Sequence, residues 1–253
     1  FSGRMINSYR LRKGAQLMRR YADVLGRIEQ RFGVPGSVIV AIWGLETDFG
    51  AVTGKFPTIR SIATLAYDCR RSDMFKAELF DALQALDAPL YIHPREPAGA
   101  VNAMMAGPVV GGAAWAYGVE VGTHVLRLIQ SGLFDRFPKL RIVIGHMGEA
   151  LPFWLPRIDN RYFALGVRDG KATIKRLPSD YVRENVWVTT SGMNYWPQLE
   201  MTLEILGEDR VLYATDYPFE KPAEAAGFVE AMPLSARRKK ALFEDNAAMV
   251  FRL

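Results

Sequence analysis

The last two thirds of the chain alternate short apolar runs with helical patterns, and this alternation constrains the fold more than any other feature. Four β-type runs occur from residue 88 onward, and each is followed by helical periodicity; the runs are 88–94, 140–149, 185–191 and 210–218. Strands that alternate with helices form parallel sheets with right-handed crossovers. The pattern therefore predicts an α/β fold with four parallel strand–helix units over residues 81–253.

Four such units are half of a TIM-like (β/α)8 barrel, which carries its catalytic groups at the carboxyl ends of its strands. Helices are expected between and after the strands; they cover about 112–131, 150–164, 196–206, 222–231 and 235–251. A half barrel exposes sheet edges unless another element or another copy of the chain covers them. We therefore expect a homo-oligomer.

Residues 1–80 follow a different pattern, and no convincing strand precedes residue 88. Residues 8–32 read as one amphipathic helix, because apolar residues recur at helical spacing opposite a row of arginines. Residues 36–47 are apolar on nearly all sides and predict a buried helix, and further helices are expected at 57–68 and 72–86. The first domain is therefore predicted to be all-α.

Composition narrows the class of protein. The hydrophobic share of 49% and the charged share of 23% are ordinary for a globular protein, and no apolar run is long enough for a membrane span.

Residues 1–80 hold 13 Lys and Arg against 7 Asp and Glu, which suits an anionic partner as well as a solvated helical surface. Nucleic acid is not expected, because the arginines lack interleaved exposed aromatics. The single cysteine, Cys69, excludes an internal disulfide and is interpreted as a bystander.

Three polar residues stand where predicted strands end: His93, His146 and Asp216. If the strands are parallel neighbours, the three side chains converge at one edge of the sheet. Imidazole and carboxylate groups suit zinc and related divalent ions, and a metal-bound water or a carboxylate-held histidine supplies acid–base chemistry near neutral pH. The third histidine, His124, lies inside a helical pattern and is interpreted as structural.

Residues 82–253 resemble the carboxyl-terminal half of the amidohydrolase-related metal-dependent decarboxylases, among them the γ-resorcylate and aminocarboxymuconate-semialdehyde decarboxylases. The resemblance is carried by ALDAPLYIHPREP, GLFDRFPKLRIVIGHMGEALPFWLPRIDNR, NVWVTTSG and EILGEDRVLYATDYPFE. It implies one divalent metal ion, Zn or Mn, bound by His93 and Asp216. It also implies that His146, supported by Glu149, handles a proton at the reacting carbon of a small carboxylic acid, and that Arg95 contacts the substrate.

One departure from that family is large. Its first strand supplies two further metal ligands as Glu-x-His or His-x-His, and neither tripeptide occurs in this sequence. Catalytic metal sites usually have three or more protein ligands. We therefore expect a decarboxylase or hydrolase site whose metal binding is impaired.

Residues 1–80 resemble the opening of the catalytic domain of membrane-bound lytic murein transglycosylases of the B type, a lysozyme-like domain. The resemblance is carried by RIEQRFGVPGSVIVAIWGLETDFG and GKFPTIRSIATLAYDCRRSDMFKAEL. It implies that Glu46 is a single acid/base that cleaves peptidoglycan. Such an acid needs a raised pKa from an apolar setting, for which Trp43, Leu45 and Phe49 are candidates.

Three functions stay open at this point. The chain is a metal-dependent decarboxylase or hydrolase, a peptidoglycan lytic transglycosylase, or a non-catalytic fusion of two enzyme fragments. The chain begins at Phe1 with no recognisable leader, as expected if it starts inside a longer gene product. The compartment is therefore open: cytoplasmic for the first function and periplasmic for the second.

Overall fold

The computed structural model describes residues 7–52, 54, 57–67, 72–97, 99–168 and 170–253, so Cys69 lies outside the described residues. The chain divides into two compact units, Phe1–Ser61 and Ile62–Leu253. The predicted domain boundary at 80/81 marks the change in sequence from the all-helical pattern to the strand–helix alternation. This boundary stays a prediction.

The first unit is helical. Its helices are α1 (Ser8–Arg20), α2 (Ala22–Phe32), α3 (Gly36–Thr47) and the start of α4 (Thr58–Tyr67). The prediction of one helix over 8–32 is wrong, because the backbone of Tyr21 leaves the helical region at φ −110° and ψ 21°. At this break the ring of Tyr21 packs 6.1 Å from that of Trp43. The small core of the unit is centred on Leu17, Leu25 and Val40.

Helix α3 is less buried than its sequence predicts. Only Gly36, Val40 and Gly44 are buried, and Ile42 on another side is 55% exposed. An apolar helix is buried only on the faces where the fold provides neighbours. The prediction of an all-round buried helix is therefore wrong for the described residues of this unit.

The second unit contains four strands and the remaining helices. The strands are β1 (Leu90–Ile92), β2 (Ile142–Ile144), β3 (Val186–Thr189) and β4 (Val211–Leu212). The helices are α5 (Ser72–Ala85), α6 (Gly99–Met104), α7 (Ala116–Gln130), α8 (Leu133–Arg136), α9 (Leu151–Tyr162), α10 (Pro178–Asn185), α11 (Trp196–Leu206), α12 (Pro222–Ala231), α13 (Ala236–Lys240) and α14 (Asn246–Phe251). Short 3-10 turns lie at Gly112–Ala114 and Glu208–Arg210, and π-helical turns lie at Phe163–Val167 and Ala241–Asp245.

The four strands form one parallel sheet in the order β1-β2-β3-β4, which confirms the predicted strand–helix alternation. All residues of β2, β3 and β4 are buried, as expected for a parallel sheet covered by helices on both faces. One face packs against α14 through Val143, Trp187, Leu212 and Val250. That these strands are half of an eight-stranded barrel stays a prediction. None of the described helices combines the length and apolar character that a membrane span requires.

The last strand is fixed at its start by a buried asparagine. The side-chain amide of Asn246 donates hydrogen bonds of 2.7 Å to the carbonyl oxygens of Glu208 and Val211. Asn246 is 5% exposed, and its bond to the carbonyl of the fully buried Val211 is itself buried. Just beyond the strand, the N–H of Tyr213 donates to the carbonyl of Leu242 at 2.8 Å. These contacts hold the segment that leads to Asp216.

We expect Asn246→Ala to lower the free energy of unfolding by about 1–3 kcal/mol, because the buried carbonyl of Val211 loses its donor. Urea unfolding followed by circular dichroism measures this as a lower midpoint at an unchanged slope. Asn102→Ala is the matched control, because Asn102 is exposed on α6. Equal midpoints for the two variants would contradict the role given to Asn246.

Candidate active site

Two of the predicted strand-end residues meet in one cleft. His146 follows β2 and Asp216 follows β4, and both line a cavity of about 620 Å³. The Nε2 atom of His146 lies 3.9 Å from Oδ1 of Asp216, and each side chain is 27% exposed. The carboxyl ends of the sheet therefore bring an imidazole and a carboxylate together, as the sequence predicts for this pair.

Glu149 holds the imidazole from the other side. The Nδ1 atom of His146 lies 2.6 Å from Oε1 of Glu149, whose side chain is only 5% exposed. A carboxylate only accepts hydrogen bonds, so Nδ1 carries the proton and Nε2 faces the cleft. This hydrogen bond raises the pKa of His146 above its ordinary value, partial burial opposes the shift, and the charges of Glu149 and Asp216 add to it.

The segment that carries both residues has an unusual backbone. His146, Met147, Glu149 and Ala150 have positive φ values of 47°, 54°, 54° and 62°, and Gly148 between them has φ 82°. The left-handed conformation costs roughly 1–2 kcal/mol for each residue with a side chain. Such strain persists only where the surroundings enforce it, and it clusters at functional sites. The hydrogen bond between His146 and Glu149 closes this turn.

Helix α7 makes room for Glu149 with two glycines. A Cβ atom on Gly118 would lie 2.9 Å from Oε2 of Glu149, and one on Gly122 would lie 3.3 Å from its carbonyl oxygen. The two glycines are four residues apart and share a helix face. Neither glycine is among the predicted site residues, although a glycine pair at this spacing in GAAWAYGVEVGT is a signal of close approach.

Gly192 explains how groups from non-adjacent strands meet. It follows β3, which lies between β2 and β4 in the sheet. A Cβ atom on Gly192 would lie 3.3 Å from Oδ2 of Asp216 and 3.6 Å from Cδ2 of His146, and its φ of 62° also disfavours a side chain. The middle position is therefore empty of side-chain atoms, and His146 and Asp216 approach across it.

The rest of the cleft is aromatic and acidic. Trp115, Tyr117 and Trp154 line it, which suits a flat apolar ligand. Glu220 joins Glu149 and Asp216 as a third carboxylate, and none of the described lining residues is a lysine or an arginine. A ligand carboxylate therefore meets only His146 as a positive partner among these residues.

The predicted metal ligands do not form a complete site. Nδ1 of His93 lies 2.8 Å from the carbonyl oxygen of Pro94, which leaves Nε2 as the coordinating nitrogen. His93 and Arg95 are exposed and are not among the residues that line the cleft. Within the described ranges, no three His, Cys, Asp or Glu side chains are arranged to hold a metal ion. These residues do not fit a metal as a three-ligand site, and the roles of His93, Asp216 and Arg95 stay predictions.

The apolar setting expected around Glu46 is not found. Glu46 is exposed near the end of α3, and Leu45 is 42% exposed. Trp43 and Phe49 pack edge to face with ring centroids 6.0 Å apart and belong to the core cluster of the first unit. This expectation is therefore corrected, because the two aromatic rings bury one another and leave the carboxylate in solvent. The catalytic role of Glu46 itself stays a prediction.

We expect Glu149→Gln to reduce stability more in acid than in base. Because the pKa of His146 is raised in the folded protein, its bond to Glu149 contributes fully below the ordinary value of 6.5, and the contribution is lost as pH rises through the raised value. Urea unfolding at about pH 5.5 and about pH 8.5 measures the loss relative to the unaltered chain. Glu200→Gln, at an exposed carboxylate, is the control and should show no such pH dependence. A loss for Glu149→Gln that is equal at both pH values would contradict the pairing.

The start of the chain is similar to a peptidoglycan-cleaving family. Residues 1–104 match the family model of the transglycosylase SLT domain. The chain is also 39% identical over 70 residues to membrane-bound lytic murein transglycosylase B of Escherichia coli, a match that covers 27% of this chain and 19% of that protein.

The larger part of the chain is similar to decarboxylases. It is 40% identical over 210 residues to γ-resorcylate decarboxylase of Polaromonas sp., covering 80% of this chain and 61% of that protein. The chain thus spans less than two thirds of this relative.

Two solved structures show the same relationship. A dihydroxybenzoic acid decarboxylase from Polaromonas sp., with bound manganese and the inhibitor 2-nitroresorcinol, superimposes with a TM-score of 0.66 at 38% identity, covering 74% of this chain and 55% of that chain. The 5-carboxyvanillate decarboxylase from Sphingomonas paucimobilis gives a TM-score of 0.68 at 32% identity, covering 95% of this chain and 73% of that chain. The manganese in the first structure supports a divalent metal for the family.

These matches support a composite chain. Residues 1–104 resemble the transglycosylase SLT domain, and the larger part of the chain belongs to the amidohydrolase-related decarboxylases.

Proposed function

We propose that the cleft beside His146 binds small hydroxylated aromatic rings and that His146 exchanges a proton with a ring carbon, which is the proton-transfer part of an aromatic decarboxylase reaction. The hydrogen bond between His146 and the buried Glu149 carries this proposal. The related enzymes that act on γ-resorcylate and carboxyvanillate support the choice of ligand. The aromatic lining of the cleft supports it independently.

The proposed step begins with a protonated His146. Its Nε2 proton moves to the ring carbon that bears the carboxylate, and that carbon becomes tetrahedral. The bond to the carboxylate then breaks, CO₂ leaves, and the electron pair of that bond restores the aromatic ring. His146 regains a proton from solvent, so one aryl carboxylate and one proton give one arene and CO₂.

The two carboxylates beside His146 favour its protonated form, which is the proton donor in this step. Glu149 stabilises the imidazolium through its bond to Nδ1, and Asp216 adds a negative charge 3.9 Å from Nε2. The proton that reaches the ring is therefore replaced readily from solvent. This is how a histidine serves as a general acid near neutral pH.

The carboxylates that line the cleft disfavour the complete decarboxylation reaction, because its substrate is an anion. An anionic substrate meets the carboxylates of Glu149, Asp216 and Glu220, and like charges disfavour its binding. The related structure from Polaromonas sp. holds manganese, but the described residues of this chain do not provide three ligands for a metal ion. We therefore propose that proton exchange with an uncharged phenol is retained more fully than net decarboxylation.

Peptidoglycan cleavage by Glu46 stays a second hypothesis. The similarity of residues 1–104 to the transglycosylase SLT domain supports it. The exposure of Glu46 argues against it, because a single acid/base of this kind needs apolar surroundings that Glu46 lacks in the structure. A non-catalytic fusion is the remaining hypothesis, and it requires that neither site has activity.

The decisive experiment follows deuterium entry into resorcinol, the arene that forms when γ-resorcylate loses CO₂. Incubation in D₂O should exchange the proton at the carbon between the two hydroxyl groups faster than buffer alone, as measured by proton NMR. His146→Asn should lower the enzymatic rate by roughly a hundredfold or more, because general acid–base catalysis contributes about 10²–10⁴.

His124→Asn is the matched control, because His124 is exposed on α7 and outside the cleft lining. It should keep the rate of the unaltered chain. No exchange above buffer, or equal exchange in the His146 variant, would refute the proposal. Liquid chromatography of γ-resorcylate in the same samples measures net decarboxylation, which we expect to be slower than ring exchange.

A further inference from the structure

A second cleft in the carboxyl-terminal unit has a different chemistry from the first. It has a volume of about 500 Å³ and lies between α7, α9, the π-helical turn Phe163–Val167 and the segment 171–178. We propose that this cleft binds an amphipathic anion, namely a carboxylate on an aliphatic chain. The proposal is independent of the function proposed for His146.

The floor and walls of this cleft are aliphatic. They are formed by Leu126, Ile129, Ile158, Leu165 and Ile174. Leu165 is 60% exposed, which is a large exposure for an aliphatic side chain at the rim of a cavity. A bound alkyl chain would remove this apolar surface from water, which favours binding. Volumes of about 300–1,000 Å³ are those of small-molecule sites.

The rim of the cleft is basic. Arg157 and Arg161 lie one helical turn apart on α9, and Lys171 lies on the segment opposite them. None of the described lining residues is acidic. The guanidinium of Arg161 donates to the amide oxygen of Asn160 at 2.9 Å, which satisfies a donor without neutralising the charge. The rim therefore favours a negatively charged head group.

The cleft is held in shape by hydrogen bonds across it. The hydroxyl of Tyr162 accepts from the N–H of Ile174 at 3.2 Å and donates to the carbonyl of the same residue at 3.1 Å. The hydroxyl of Thr173 donates to the carbonyl of Gln130 at 3.1 Å. These bonds tie the segment 171–178 to α9 and to the end of α7. A preformed cavity of this kind binds without a large ordering penalty.

The two clefts favour different ligands. Both clefts are lined by Leu126 and Ile158. The first cleft is also lined by two tryptophans and three carboxylates, which the described lining of the second cleft lacks. An aliphatic carboxylate is repelled by that acidic lining and attracted by the basic rim of the second cleft. Charge complementarity together with the aliphatic floor thus points to a fatty-acid-like ligand at the second site.

Isothermal titration calorimetry of the full chain with decanoate, below its micelle concentration, tests this site. The unaltered chain should bind decanoate, and the double variant Arg161→Glu with Lys171→Glu should bind it roughly tenfold or more weakly, because two rim charges are reversed. Leu165→Ser should also weaken binding, since it removes apolar surface from the wall. Both changes lie at exposed positions, and circular dichroism verifies that the variants are folded.

The matched control reverses one arginine and one lysine elsewhere. Arg12→Glu with Lys139→Glu makes the same change of net charge at exposed positions outside the cleft lining and should leave decanoate binding unchanged. His146→Asn should leave it unchanged as well, which separates the two clefts. Absence of decanoate binding would overturn the proposal, and so would equal binding by the rim variant and the control. Decan-1-ol binding as tight as that of decanoate would overturn the anionic head group.

Discussion

The parallel register of the four strands is the constraint on which the active site depends. The sheet pairs Ile144 of β2 with Val188 of β3, and Val188 in turn with Val211 of β4. In a parallel sheet the carboxyl ends of all strands lie at one edge, so residues that follow different strands become neighbours. His146 and Asp216 are 70 positions apart in sequence and still lie within 3.9 Å of each other. The empty Cβ position at Gly192 makes this approach possible across the intervening strand.

The left-handed turn after β2 adds a second constraint. Four non-glycine residues with positive φ are costly, and the sheet alone gives no reason for them. The turn directs Oε1 of Glu149 back to Nδ1 of His146. Gly118 of α7 leaves space for the other carboxylate oxygen, Oε2. The strain and the packing therefore serve the same end, which is a fixed orientation of the imidazole.

The sequence predicted the alternation of strands and helices because hydrophobic periodicity is local information. It also placed His146 and Asp216 at strand ends, where the topology brings them together. It did not predict the break at Tyr21 or the exposed face of α3, because both depend on which neighbours are present and periodicity does not report neighbours. The glycine contacts to Glu149 were missed for the same reason. They arise between α7 and a turn more than 25 residues later in the chain.

The acid–base pair and the metal site make different demands on the chain. The pair needs only the turn at 146–150, the glycine face of α7 and the gap at Gly192, all of which lie within residues 116–192. The described residues of this chain contain no group of three side chains arranged to hold a metal ion, and the chain spans 61% of one decarboxylase relative. The orientation of His146 therefore does not depend on a three-ligand metal site among the described residues. Proton transfer and carboxylate binding are separable parts of the proposed chemistry, and these contacts hold the residues proposed for the first.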